Sequence, residues 1–173
     1  MIDVSIIVVA HDDEADLPLS VGSALALRGV RTETLVVDND SADGSREAVR
    51  RMSTRRGGTG GAIVNISSRA AHTGAPGEWV HYAASKGAID SFTIGLAREV
   101  ATEGIRVNAV APGLVDTDLH AANGEPGRLQ RLMPTIPMQR AGLPSEVAEG
   151  VLWLLSPASS YTTGAILEIG GGR

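Results

Sequence analysis

Tyr82 and Lys86 stand four positions apart in the stretch VHYAASKGAIDSF (80–92). In an α-helix that spacing places two side chains one above the other on the same face. A phenol beside an ammonium can give up and take back a proton, because the positive charge favours the ionised phenol. Taken alone, the pair reads as readily as an exposed tyrosine and a solvated lysine. Ser67 and Ser68 close the apolar run GAIVNIS (61–67), and Pro112-Gly113 closes IRVNAVAPG (105–113). If both runs are parallel strands, these groups reach one rim, since ligands of open α/β sheets sit outside the carboxyl ends of the strands. A serine hydroxyl there would hydrogen-bond a carbonyl oxygen and the tyrosine would move the proton. Hydride would have to come from a bound cofactor.

The elements that must position these groups follow from hydrophobic pattern. VSIIVVA (4–10) and ETLVVD (33–38) are short apolar runs of the kind buried parallel strands show, each ending in a polar turn. Between them LPLSVGSALAL offers Leu17, Val21, Ala24 and Leu25 at helical spacing, which makes a βαβ unit. GAIVNIS is a third strand, IRVNAVAPG a fourth and AILEIGGG (165–172) a fifth. A helix from about Tyr82 has Ile89, Phe92, Leu96 and Val100 on one face and stops at Gly104, the favoured residue past a helix C-terminus. LPSEVAEGVLWLLS is a second helix, with Val147, Val151, Leu154 and Leu155 as its buried stripe. Strands alternating with helices predict an α/β fold, a doubly wound, Rossmann-like parallel sheet of about five strands.

Composition bounds the answer. A chain of 173 residues, 43% hydrophobic and 20% charged, suits one globular domain with a real core. With aromatic residues at 3%, that core must be aliphatic. No apolar run approaches the ~18–20 residues of a membrane span, and the N-terminal MIDVSIIVVAHDDE has no leader pattern, so a cytoplasmic location without membrane contact is expected. The absence of cysteine excludes disulfides, thiolate zinc sites and cysteine nucleophiles. A net charge of -5 argues against nucleic acid as a partner. His11, His72, His81 and His120 show no pairing that suggests a metal, and Trp79 and Trp153 read as core or interface. Five arginines crowd REAVRRMSTRRGGTGG (46–61), and residues 55–61 form the most linker-like stretch.

Residues 58–173 resemble the carboxyl-terminal half of a short-chain dehydrogenase/reductase. The resemblance rests on five blocks in family order: GGAIVNISS, YAASKGAI, GIRVNAVAPGLVDT, LPSEVAEGVLWLLSPASSYTTG and ILEIGGG. It implies NAD or NADP as cofactor, a small-molecule alcohol or carbonyl substrate and a homo-oligomer. By position, Tyr82 matches the catalytic acid/base, and Lys86 the residue that binds the nicotinamide ribose and tunes the tyrosine. Ser68, fourteen positions before Tyr82, matches the catalytic serine, with Ser67 one residue away as an alternative. Pro112, Gly113, Val115 and Thr117 match the turn that contacts the nicotinamide, and HAANGEPGRLQRLMPTIPMQR (120–140) the substrate lid. The family's Thr-Gly-x-x-x-Gly-x-Gly loop after the first strand, whose backbone amides approach the pyrophosphate, has no counterpart in AHDDEADLP. The fold is therefore expected to be incomplete relative to a full member, with weak cofactor affinity.

Residues 1–45 resemble instead the opening βαβ of a family 2 glycosyltransferase. There Asp38 matches the aspartate ending the second strand, with Asp12, Asp13 and Asp40 as nearby acids. The chain is thus expected to be a hybrid: a glycosyltransferase-like unit with its Arg-rich connection at 1–57, and a dehydrogenase-like catalytic half at 58–173, folded together as one compact domain. Two further readings are an inactive truncated or recombined chain that keeps a dimerisation surface (Ile89, Phe92, Leu96), and nucleotide-sugar binding through the acidic turn.

Overall fold

The structure is a computed structural model that describes residues 4–10, 32–38, 49–118 and 124–173, the first two segments as backbone alone. The expected helix over Leu17–Leu25 and the acids Asp12, Asp13 and Asp40 lie outside the described residues. The five expected strands are present: β1 (Val4–Ala10), β2 (Thr32–Asp38), β3 (Gly61–Ile66), β4 (Ile105–Pro112) and β5 (Ile166–Ile169). They pair in two sheets, β1-β2 and β3-β4-β5. β1 and β2 are parallel, from Val4 opposite Thr32 to Ala10 opposite Asp38. β5 is parallel to β4, with Ala109 opposite Ile166 and Pro112 opposite Ile169. The helices are α1 (Ala70–Thr73), α2 (Val80–Val100), α3 (Arg128–Leu132) and α4 (Pro144–Leu155).

Two compact units emerge. One takes in the described residues up to Ile63 together with Ala97–Arg106; the other is Val64–Leu96 with Val107–Arg173. In the first unit, the stretch expected to be a linker is built instead as a packed turn. Thr54–Arg56 form one 3₁₀ turn, closed by Gly57 in the left-handed conformation at φ 88°. Ser53 is fully buried and donates to the Glu103 carboxylate, and Arg55 Nη2 donates to Thr102 Oγ1 at 2.6 Å. A Cβ on Gly60 would stand 2.4 Å from the Gly104 carbonyl oxygen, so the two glycine backbones touch where a side chain would separate them. The arginine and glycine composition signalled flexibility, but Gly58 and Gly60 sit in close backbone contacts and Gly57 supplies the left-handed closure.

In the second unit β4 is the central strand. Val107, Asn108, Ala109, Val110 and Ala111 have no measurable exposure, the continuous burial of a parallel strand covered on both faces. Asn108 is the polar exception and carries both of its amide groups into hydrogen bonds. Nδ2 donates to the Thr162 carbonyl at 2.9 Å, and Oδ1 accepts from the Ala165 amide at 3.0 Å. It thereby fixes the turn that launches β5. α4 packs onto β5 much as its stripe predicts: Leu154 is fully buried, Val147, Val151 and Leu155 are half-buried, and Gly150 faces Ile169. Leu114, Leu132 and Ile136 form a small cluster that anchors α3, with Leu129 against it.

The buried face of α2 departs from expectation. It is made by Ala83, Asp90, Thr93, Ala97 and Val100, whereas Phe92 is 45% exposed. The bulky apolar residues Ile89, Phe92 and Leu96 lie beside the buried line, which is composed of small and polar groups. Hydrophobicity alone thus misplaces the phase of the helix by about one position, because close approach to a sheet selects small side chains as well as apolar ones.

Asn108→Ala removes two buried hydrogen bonds and is expected to cost about 3 kcal/mol of stability. Urea unfolding should show a lower midpoint at unchanged slope.

Candidate active site

After Ile66 the chain turns through Ser67, Ser68 and Arg69 into α1. The Ser67 amide donates to the Val110 carbonyl at 2.8 Å and the Arg69 amide to that of Pro112 at 2.9 Å. Partners that advance together in number mark parallel pairing, and they hold Ser68 beside the end of β4. The two serine hydroxyls have different employment. Ser67 is 2% exposed, with Oγ turned to the Lys86 carbonyl at 3.4 Å. Ser68 is half-buried, and its Oγ accepts from the Ala70 amide at 3.1 Å. A hydroxyl that accepts still has its own proton to donate.

Tyr82 and Lys86 share one face at the start of α2, as their spacing requires. Lys86 Nζ lies 5.6 Å from the Tyr82 ring centroid and donates to the Ile66 carbonyl at 2.9 Å. That bond carries the ammonium to the carboxyl end of β3 and leaves it two more N–H donors. Burial pulls the Lys86 pKa below the ordinary amine value, and the charge of Asp90 opposes the shift. Asp90 sits one turn further along α2, 8% exposed, with Oδ2 3.8 Å from His72 Nε2 and Oδ1 buried without a hydrogen-bond partner. Asn65 Nδ2 donates to Thr93 Oγ1 at 2.8 Å, a second tie between β3 and α2. On its other side the Tyr82 ring meets Trp79 edge-on, centroids 6.0 Å apart at 75°.

The Pro112 turn closes the rim. Gly113 donates to the Ile169 carbonyl at 2.9 Å, and a Cβ there would lie 2.6 Å from Gly170 Cα. Val115 is drawn into a parallel bridge with Gly142, while Thr117 is exposed. Thus Lys86 is joined to Tyr82 and to the end of β3, and Ser68 to the end of β4. Val115 and Thr117 stand further along the loop. A cavity of about 400 Å³ next to the Pro112 turn is lined by Arg69, Leu114, Met138, Glu168 and Gly170 among others, but by neither Tyr82 nor Lys86. It therefore adjoins the Pro112 turn rather than the Tyr82–Lys86 pair. Among the described residues no group of three His, Cys, Asp or Glu side chains could hold a metal, and no helix is long and apolar enough to cross a membrane.

Sequence reasoning passed over Asp90 and Asn65, and named His72 only as one of four histidines without a metal-like pairing. Asp90 carried a readable signal, four residues after Lys86 on the same helix face. His72 did not, since its approach to Asp90 depends on the turn into α1.

Residues 34–173 match the family model described as enoyl-(acyl carrier protein) reductase. The chain belongs to the short-chain dehydrogenase/reductase family. It is 57% identical over 128 residues to an uncharacterized oxidoreductase of Escherichia coli, a match covering 74% of this chain and 52% of that protein. Among solved structures, a 3-oxoacyl-(acyl-carrier protein) reductase with bound NAD from Brucella melitensis is 41% identical at a TM-score of 0.60, covering 74% of this chain and 44% of that one. A 7α-hydroxysteroid dehydrogenase complexed with NADH and 7-oxo glycochenodeoxycholic acid is 32% identical at a TM-score of 0.67, covering 75% and 49%. The chain spans about half the length of the curated relatives it matches. These likenesses establish the Rossmann-like α/β fold. The family match begins inside β2 and so takes in Asp38 and the Arg-rich stretch, both assigned above to a glycosyltransferase-like unit.

Asp90→Asn removes the charge that supports the Lys86 ammonium, so the Lys86 pKa should fall further below 10.5. Titration of its Nζ resonance by NMR reads this directly, and an unchanged value would show that the two groups do not interact. Gly113→Ala forces the Pro112 turn away from Gly170 and is expected to destabilise the fold by about 2 kcal/mol, checked by thermal unfolding.

Proposed function

We propose that the chain carries the catalytic half of an NAD(P)-dependent oxidoreductase acting on a ketone or secondary alcohol. The observation that supports this most is the Lys86 ammonium, 5.6 Å from the Tyr82 ring and fastened to the end of β3 by the Ile66 carbonyl. The substrate class follows from what the similar proteins have in common by name: one reduces a 3-oxoacyl group and another holds a 7-oxo steroid. Both present a ketone.

In this reading Ser68 donates its hydroxyl proton to the carbonyl oxygen, which polarises it and fixes its position. Tyr82 gives the proton to that oxygen in reduction and takes it back in oxidation. Lys86 stabilises the phenolate left behind, and its remaining N–H donors suit the hydroxyls of a ribose. Pro112 and Gly113, with Val115 and Thr117 beyond them, would border the nicotinamide. The bound nicotinamide supplies the hydride. The donor set on the rim fits that end of the cofactor: one cation with spare N–H groups, a hydroxyl with a spare proton and a turn whose backbone is bare of side chain at Gly113.

A second reading has an observation of its own. Phe92 is 45% exposed on α2 and shares a face with the half-buried Ile89 and Leu96, three positions before it and four after, an apolar strip that a second copy would cover, so the chain would assemble as a homo-oligomer with or without chemistry. The glycosyltransferase-like reading of residues 1–45, with a domain boundary near residue 57 and nucleotide-sugar binding, rests on sequence alone.

Titration of the purified chain with NADH and NADPH, followed by nicotinamide fluorescence, separates these readings; a uridine-diphosphate sugar with manganese runs alongside. Saturable nicotinamide binding, with turnover of a ketone lost by about 10²–10⁴-fold in Tyr82→Phe while binding persists, is the expected result. Oligomers that bind neither nicotinamide favour the assembly reading, and a response to the sugar nucleotide alone the glycosyltransferase-like one.

A further inference from the structure

The second unit buries an arginine. Arg128, at the first position of α3, is only 8% exposed, yet its Nε and Nη1 are buried without hydrogen-bond partners. A guanidinium is seldom buried unless it is paired and fully hydrogen-bonded. Here the pairing is concentrated on one side. Nη2 lies 2.6 Å from Glu78 Oε2, and the guanidinium carbon is 4.1 Å from the centroid of the Trp79 ring, within cation–π range. Nη1 also lies 3.7 Å from Glu125 Oε2, an ion pair too long to be a hydrogen bond, so the contact with the indole is a large part of what faces the buried cation.

Neighbouring charges brace this stack. Arg131 Nη1 lies 3.0 Å from Glu78 Oε1 and its Nη2 2.9 Å from Glu125 Oε2. Burial alone would push the Glu78 carboxyl up, but hydrogen bonds from Arg131 and Arg128 outweigh it and hold the carboxyl below the usual range. Glu78 and Trp79 immediately precede α2, and the Ala83 amide donates to the Trp79 carbonyl at 2.9 Å. The same indole meets the Tyr82 ring in an edge-on contact. A continuous column thus runs from α3 to the phenol: Arg128 on Trp79, Trp79 on Tyr82.

We infer that Arg128 is a positioning residue for Tyr82, acting through Trp79, so that seating of α3 and orientation of the phenol are one event. This rests on the reading of Tyr82 as the acid/base. Any ligand that displaces α3 would release the indole and with it the phenol. A ligand that seats α3 would fix both.

Trp79 and Trp153 are the two tryptophans of the chain, so Trp153→Phe leaves Trp79 as its sole indole reporter. In that background Arg128→Lys retains the positive charge near Glu78 but lacks the planar surface that stacks. The expected result is a shifted Trp79 emission together with amide exchange at residues 83–86 raised about tenfold, while residues 107–111 of β4 stay protected. Where ketone turnover is measurable, kcat falls and KM for the nicotinamide holds. Emission that shifts while exchange at 83–86 matches the parent overturns the inference, as does an unaltered kcat. If Arg128→Lys also exposes β4, Trp79→Phe, which keeps the ion pairs and trims the stack, is read by the same exchange: raised at 83–86 supports the column, unchanged overturns it. A parent protein without turnover defeats the oxidoreductase reading, and the exchange and emission results still decide the coupling.

Discussion

The rotation of α2 about its own axis is the constraint on which the site depends. Three hydrogen bonds set it against β3: Asn65 to Thr93, Ser67 to the Lys86 carbonyl, and Lys86 Nζ to the Ile66 carbonyl. A helix turns about 100° per residue, so a slip of one position would carry Tyr82 and Lys86 away from the strand ends together. Apolar contact alone is non-directional and would tolerate such a slip. The polar ties do not, because hydrogen bonds weaken steeply when their geometry is lost. The residues that hold the helix in phase are therefore the ones that aim the chemistry.

The same requirement explains why the buried line of α2 is small and polar. Ala83, Thr93 and Ala97 let the backbone approach closely, and Thr93 brings a hydroxyl to meet Asn65. Asp90 belongs to this line as a charge rather than a spacer. A buried carboxylate is expensive unless a cation answers it, and Lys86 is one turn away. Burial lowers the Lys86 pKa and the charge of Asp90 opposes that shift. Interior charge in this unit is thus concentrated near Tyr82: Lys86 with Asp90 on α2, and Arg128 with Glu78 at the approach to it.

Much of this was legible in the sequence, for identifiable reasons. The five strands were found because buried parallel strands are continuous apolar runs, and the nearness of Lys86 to Tyr82 because four residues is about one helical turn. Ser68 could be named only to within one position. The turn after β3 distinguishes the two: the Ser67 hydroxyl faces the Lys86 carbonyl, and the half-buried Ser68 hydroxyl accepts from the Ala70 amide. The phase of α2 was misread because Phe92 outweighs Ala97 on any hydrophobic scale, while packing against a sheet favours the smaller side chain. Residues 55–61 were misread for a related reason: glycine marks flexibility and close backbone approach alike, and only the Gly60–Gly104 contact tells them apart. Arg128 gave no sequence signal at all, since its partners Glu78 and Trp79 come from fifty residues earlier in the chain.

Those long-range partners separate two kinds of information in the chain. The identity of the reacting groups is local, held in one turn of helix and one turn after a strand, and it survives inspection of a dozen residues. Their readiness is not local. Tyr82 is flanked on one side by an ammonium from its own helix and on the other by an indole that an arginine from α3 holds in place. A proton-transfer group needs its geometry set to a fraction of an ångström, and a lone i, i+4 pair on a helix surface is too mobile to provide that. The second flank supplies the missing restraint. It comes from a segment packed through Leu132 and Ile136 against Leu114, just beyond the Pro112 turn, so the strand end that borders the candidate site also anchors the element proposed to steady Tyr82.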